Sequence, residues 1–148
     1  MKVFIIFLIA GAVVGLIAWK FIAIDQRGEN LNKNLVSPYL SLIQKNNLGE
    51  AYSTFTSDGF RKEHTLESFS EYFKSVTTRH GPLKSWKYLL TKEGSVPGKG
   101  SYIRLRYRIN YQKSTVFVVY EVKEFGDKRL IDRTFIELPG SLMTPSPQ

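Results

Sequence analysis

Between Ile103 and Tyr111 every second residue is apolar. Ile103, Leu105, Tyr107, Ile109 and Tyr111 alternate with Arg104, Arg106, Arg108 and Asn110. A period of two belongs to a strand with one buried face and one wet face. It excludes a helix here. It also argues against an all-parallel sheet, whose strands are apolar on both faces. The chain must therefore hold an antiparallel sheet with something apolar laid against one side.

Three more strands are expected around this one. Trp86, Tyr88 and Leu90 alternate in a first strand after Pro82. The segment GSVPGKG, residues 94 to 100, reads as a turn-rich loop. A third strand is expected over about Thr115 to Lys123 and a fourth over about Arg129 to Leu138, with a turn at Gly126-Asp127 between them. Links this short favour an antiparallel meander.

Helical spacing precedes the strands. Leu31, Leu35, Tyr39, Leu42 and Ile43 share a face in a helix from about Leu31 to Asn46, with Pro38 as a kink or a true first turn. Leu48, Ala51, Tyr52 and Phe55 mark a short second helix, followed by a turn signal at Ser57-Asp58-Gly59. Thr65 is placed to cap a third helix of about Leu66 to Arg79, with Leu66, Phe69, Phe73 and Val76 as its buried stripe. Gly81-Pro82 ends it. Three helices followed by four strands define an α+β domain over 31–138. The tail 139–148, PGSLMTPSPQ, is expected to be disordered.

Ahead of this domain the run from Val3 to Ile24 is apolar except for Lys20. As a helix it is long enough to cross a bilayer, which predicts a single-pass transmembrane anchor over 1–24. Trp19 and Phe21 suit the interface, and Lys20 can snorkel to it. Ala10-Gly11-Ala12 has the form of a signal-peptide cleavage site, but cutting there would strand the rest of the apolar run. An uncleaved anchor is expected. Gly11 and Gly15 form a GxxxG pattern, common enough in such helices to arise by chance. Residues 25–30, DQRGEN, read as a short linker. The Lys/Arg count around the anchor would put the domain in the cytoplasm. The short basic start followed by an apolar run resembles an export signal and sends it outward.

The stretch LSLIQKNNLGEAYSTFTSDGFRKEHTLESFSEYF resembles the start of nuclear-transport-factor-2-like (cystatin-like) domains. Gly49-Glu50 before Ala51-Tyr52, Phe55, Phe60-Arg61, Phe69 and Phe73, and Gly81 before the first strand carry the likeness. The resemblance is to small membrane-anchored or exported bacterial members of unassigned function. An anchor followed by such a domain also resembles inner-membrane assembly components of type IV secretion systems. The family implies a curved sheet wrapped on helices to leave a cone with a mouth. It also favours a domain outside the cytoplasm, in the cell envelope.

Composition limits the chemistry. The chain has no cysteine, which removes disulfides, thiolate catalysis and Cys-based metal sites. His64 and His80 have no metal-ligand spacing and both read as structural. Neither a metal nor another cofactor is implied. Asp132 has the parity of the inner face of the fourth strand and is the best candidate for a buried carboxylate, most simply paired with a strand arginine. Tyr107, Tyr111 and Tyr120 could place hydroxyls at a cone mouth. Arg104, Arg106 and Arg108 are three guanidinium groups on one strand face. They repel one another unless carboxylates or anions lie beside them, so they mark either a solvated face paired with Glu121 or Glu137, or a docking face. The net charge is +8, from 21 Lys+Arg against 13 Asp+Glu. It suits anionic partners, but no nucleic-acid motif accompanies it. These features point away from catalysis and toward a membrane-anchored binding or assembly module with an envelope protein or a second copy as partner. The alternative is a small-ligand pocket or enzyme within the cone.

Overall fold

The computed structural model describes residues 19, 22–98 and 100–137. Most of the apolar run from Val3 to Ile24 and the tail from Pro139 lie outside them. Among the described residues no helix is long and apolar enough to cross a membrane.

Helix α1 covers 22–44, with a π-helical turn at Asn32–Val36 leading into the α-helical Ser37–Gln44. The π turn lies directly before Pro38. A proline has no N–H to give the preceding turn, and its ring crowds the carbonyl four residues back. Widening that turn, so that the Ser37 N–H reaches the Asn32 carbonyl, passes the proline without breaking the helix. Asn46, at φ 58°, turns the chain out of α1. Helix α2 follows at Leu48–Phe55, α3 at Asp58–Glu63 and α4 at Leu66–His80. Thr65 caps α4 by accepting from the Ser68 N–H, and Gly81 ends it at φ 78°.

The strands are β1 (Leu83–Val96), β2 (Gly100–Tyr111), β3 (Thr115–Phe125) and β4 (Lys128–Glu137). They form one antiparallel sheet in the order β1-β2-β3-β4. The α+β class and the four-strand meander thus agree with the sequence reading. The helices lie against the inner face, where Ile103, Leu105, Tyr107 and Ile109 pack with Leu31, Val36, Tyr39 and Leu40.

Several local expectations need correction. Residues 25–30 are helical, not a linker. Gly28 is buried where α1 crosses β1, so close that a Cβ would collide with Thr91 and the Tyr88 hydroxyl. Arg27 then bonds Glu93 of β1 at 2.9 Å and Glu124 of β3 at 2.6 Å. The turn expected at Ser57-Asp58-Gly59 opens an additional helix, α3, with Ser57 as its cap. Helix α4 buries only Phe69 fully, and Leu66 is exposed. The loop expected over 94–100 is shorter, because β1 continues to Val96 and β2 begins at Gly100. A bulge between Tyr88 and Leu90 moves Leu90 opposite Arg106, off the Trp86–Tyr88 face.

Candidate functional site

The inner face of the sheet and the helices enclose a cavity of about 420 Å³ at the end where α4 meets the β2–β3 hairpin. Its floor is Tyr39 of α1 and Tyr120 of β3, both buried, with ring centroids 5.8 Å apart and nearly perpendicular. Phe69 and Phe73, one helical turn apart on α4, form a wall with centroids 4.9 Å apart. Tyr72 and Tyr111 stand at the rim. These elements meet here because the apolar stripe of α4 and the alternating residues of β2 and β3 face the same space.

Four phenols converge on this cavity. Burial pushes the Tyr39 hydroxyl far above its ordinary range, and the Tyr72 and Tyr111 phenols add to the shift. Tyr120 is raised well above it too, first by burial and then by Tyr39, Tyr111, Tyr72 and Tyr107, and burial raises Tyr72 as well. Tyr111 rises to about 12, by burial and then by Tyr72. All four are therefore neutral donors at physiological pH. Among the described residues no hydrogen bond is made by the Tyr39 or Tyr120 hydroxyl, and both residues are almost wholly buried against the cavity. The single imidazole in the lining, His64, packs on Phe60 at 4.8 Å and has no ion pair among the described residues. Among the described residues the lining contains no carboxylate and no guanidinium. Such a site can hold an apolar body and offer neutral hydrogen bonds; it has no convergent acid and base.

The residues singled out from sequence separate into different places. Tyr111 and Tyr120 line the cavity. Tyr107 does not: its hydroxyl donates to Asn32 Oδ1 at 2.8 Å, which also accepts from Ser37 Oγ at 2.9 Å. Trp86 Nε1 in turn donates to Ser37 Oγ at 3.1 Å. That network holds the π turn of α1 on the sheet. Asp132 is buried, but at a bulge in β4 that breaks the strand's alternation, and outside the cavity. Its partners are Lys123 Nζ at 2.6 Å and the Ser57 hydroxyl at 2.5 Å, not a strand arginine. His80 ends α4 and bonds Ser114 Oγ at 2.7 Å. Tyr39, Tyr72 and His64 were missed as cavity residues. Tyr39 read as core because it lies on the apolar stripe of α1, and only the sheet's placement opens a space beside it.

Arg104, Arg106 and Arg108 lie together on the outer face. Arg104 pairs with Glu121 at 2.9 Å and stacks over Tyr102. Arg106 pairs with Glu137 at 2.7 Å and stacks over Phe117. Arg108 faces Lys87 across the β1–β2 pair, and among the described residues neither has a carboxylate partner. Two members of the constellation are thus satisfied within the sheet. Among the described residues no group of His, Asp or Glu is arranged to hold a metal ion.

No family model, curated protein or solved structure matches the chain.

Proposed function

We propose that this chain is a membrane-tethered, single-pass, non-catalytic binding domain of nuclear-transport-factor-2-like form, displayed in the cell envelope outside the cytoplasm. Its occupant is a neutral, mainly apolar molecule carrying a carbonyl or hydroxyl. The observation that supports this is the cavity floored by Tyr39 and Tyr120, whose buried phenols remain protonated at physiological pH. A charged headgroup would find no counter-charge in that lining and would lose its hydration.

The test is fluorine NMR of the full chain in lipid nanodiscs, with fluorotyrosine incorporated and acetylnaphthalene, a neutral ketone, as the probe. Resonances of Tyr39 and Tyr120 should shift saturably, while that of Tyr102 at the other end of the sheet stays still. Tyr120→Phe should weaken binding about fivefold, the worth of one neutral hydrogen bond at ~1 kcal/mol. Shifts that never saturate, or that appear equally at Tyr102, would sink the reading.

A second reading, assembly with an envelope protein, is favoured by Arg108 and Lys87, which among the described residues have no carboxylate partner and stand beside the partly exposed Phe117. Arg108→Glu should reduce recovery of cross-linked partners from native membranes without changing thermal stability. Unchanged recovery would remove this face from consideration.

A further inference from the structure

The end of the domain opposite the cavity carries an arrangement that the binding site does not use. Helix α1 enters there, with Trp19 74% and Ile22 55% exposed. The tips of two hairpins stand beside it, β1–β2 and β3–β4. Each tip shows one large apolar residue, Val96 at 40% and Phe125 at 45% exposed. Arg27 fixes the relative height of helix and tips, because its guanidinium bonds Glu93 and Glu124 together.

The levels can be compared. Val96 lies three residues beyond Glu93, about 10 Å along an extended strand. Trp19 lies eight residues before Arg27, about 12 Å along a helix. Ile103 pairs with both Glu93 and Val122 in the sheet register, so Phe125, three residues beyond Val122, lies level with Val96. Trp19, Val96 and Phe125 therefore reach a similar height, and the apolar run of the sequence precedes Trp19. A helix over residues 3–22 would be about 30 Å long, the thickness of a hydrocarbon core. That puts Trp19 at the level where interfacial tryptophans sit.

Among the described residues the carboxylates of the strand ends here are paired. Glu93 and Glu124 are paired with Arg27, and Glu124 also with Arg129 at 3.0 Å. Asp132 is paired with Lys123. Lys128 and Asp127 at the β3–β4 turn offset each other. Paired in this way, these carboxylates do not repel the phosphates of zwitterionic headgroups.

We infer that the β1–β2 and β3–β4 hairpin tips seat the domain on the bilayer, with Val96 and Phe125 entering the interfacial layer of uncharged phospholipid. The cavity then opens on the side away from the membrane. This inference rests on the tether reading of residues 1–24. Two apolar side chains add little affinity beside a transmembrane helix; their effect is to fix the domain's orientation.

The chain has no cysteine, so single sites can be labelled cleanly. Val96→Cys, Phe125→Cys and Lys113→Cys variants of the full chain carry a spin label and are reconstituted into phosphatidylcholine vesicles. Lys113 belongs to the β2–β3 hairpin at the far end. Labels at 96 and 125 should lose accessibility to an aqueous nickel chelate and gain it to oxygen relative to 113, independent of salt. Phe125→Trp in a Trp19→Phe/Trp86→Phe background, quenched by brominated phosphatidylcholine, measures the same depth without a label. If the chain floats with the vesicles but 96 and 125 match 113, the seat is wrong and the tether stands. Burial that appears only with phosphatidylglycerol, or is lost in salt, also overturns the seat. A chain that fails to float overturns both.

Discussion

Ser57 shows how one short side chain joins two layers. Its backbone N–H donates to the Ile131 carbonyl at 2.9 Å. Its hydroxyl donates to Asp132 and accepts the Phe60 N–H at 3.0 Å, so both functions of the oxygen are used. Ser57→Ala removes the cap of α3 and a donor to a buried carboxylate. It should cost about 2 kcal/mol in urea unfolding. Burial alone would raise the carboxyl of Asp132, but hydrogen bonds from Lys123 and Ser57 outweigh it and hold the carboxyl below its ordinary range. A carboxylate with a depressed folded value stabilises above the unfolded range, near pH ~4, and loses that contribution as pH falls through it. Asp132→Asn should therefore flatten the decline in stability below pH ~4, measured by thermal melts. An unchanged acid limb would show that Asp132 is not linked to folding in this way. Strand parity did not decide the burial of this carboxylate, because the bulge at Asp132 breaks the alternation and puts Ile131, of the opposite parity, on the inner face opposite Val122. Its partners were not legible either, because Ser57 lies 75 positions away and the bulge has no sequence signature.

At the scale of elements, the first turns of α1 were misread for a physical reason. A helix normally announces itself by an apolar stripe. Residues 25–30 dock through a glycine and an arginine instead, Gly28 by close approach and Arg27 by two ion pairs. Neither adds to an apolar period, and a glycine among polar residues reads as a break. Gly28→Val should push Thr91 and Tyr88 aside, lift this part of α1 off β1 and cost about 2 kcal/mol. Hydrogen exchange over residues 24–30 should accelerate, while β2 keeps its protection. Equal acceleration in both would mean that α1 and the sheet open as one unit. The extra helix α3 was missed because a serine N-cap and a turn residue are the same residue type; only the following Phe60, buried against the core, decides between them.

For the molecule as a whole, tyrosine is the dominant titratable feature of the interior. Tyr39, Tyr107 and Tyr120 are buried among other rings, and burial raises all three hydroxyls above their ordinary range. An acid whose folded value is raised gives stability that is complete below the unfolded value and is lost as pH rises toward the folded one. The unfolded chain ionises its phenols near pH ~10. The domain should thus weaken above pH ~10, and three of its eight tyrosines should develop phenolate absorbance only as the fold is lost. Smooth titration of all eight before unfolding would contradict the packed floor of the cavity.

Periodicity determined, without any structure, that this chain holds four antiparallel strands after helices, since alternation and helical stripes are local consequences of backbone geometry. It also determined that the arginines of β2 share a face, because parity along an unbulged strand leaves no choice. Tertiary structure alone decided which tyrosines meet. Tyr39 of α1, Tyr72 of α4 and Tyr111 and Tyr120 of neighbouring strands come from distant positions, and the space between them depends on how far α4 stands from the sheet. It also decided that Leu90 faces outward and that α1 begins before the domain's apolar pattern does. Both follow from a bulge and a close glycine contact, features whose energy lies in the partner strand and helix and not in the residue itself.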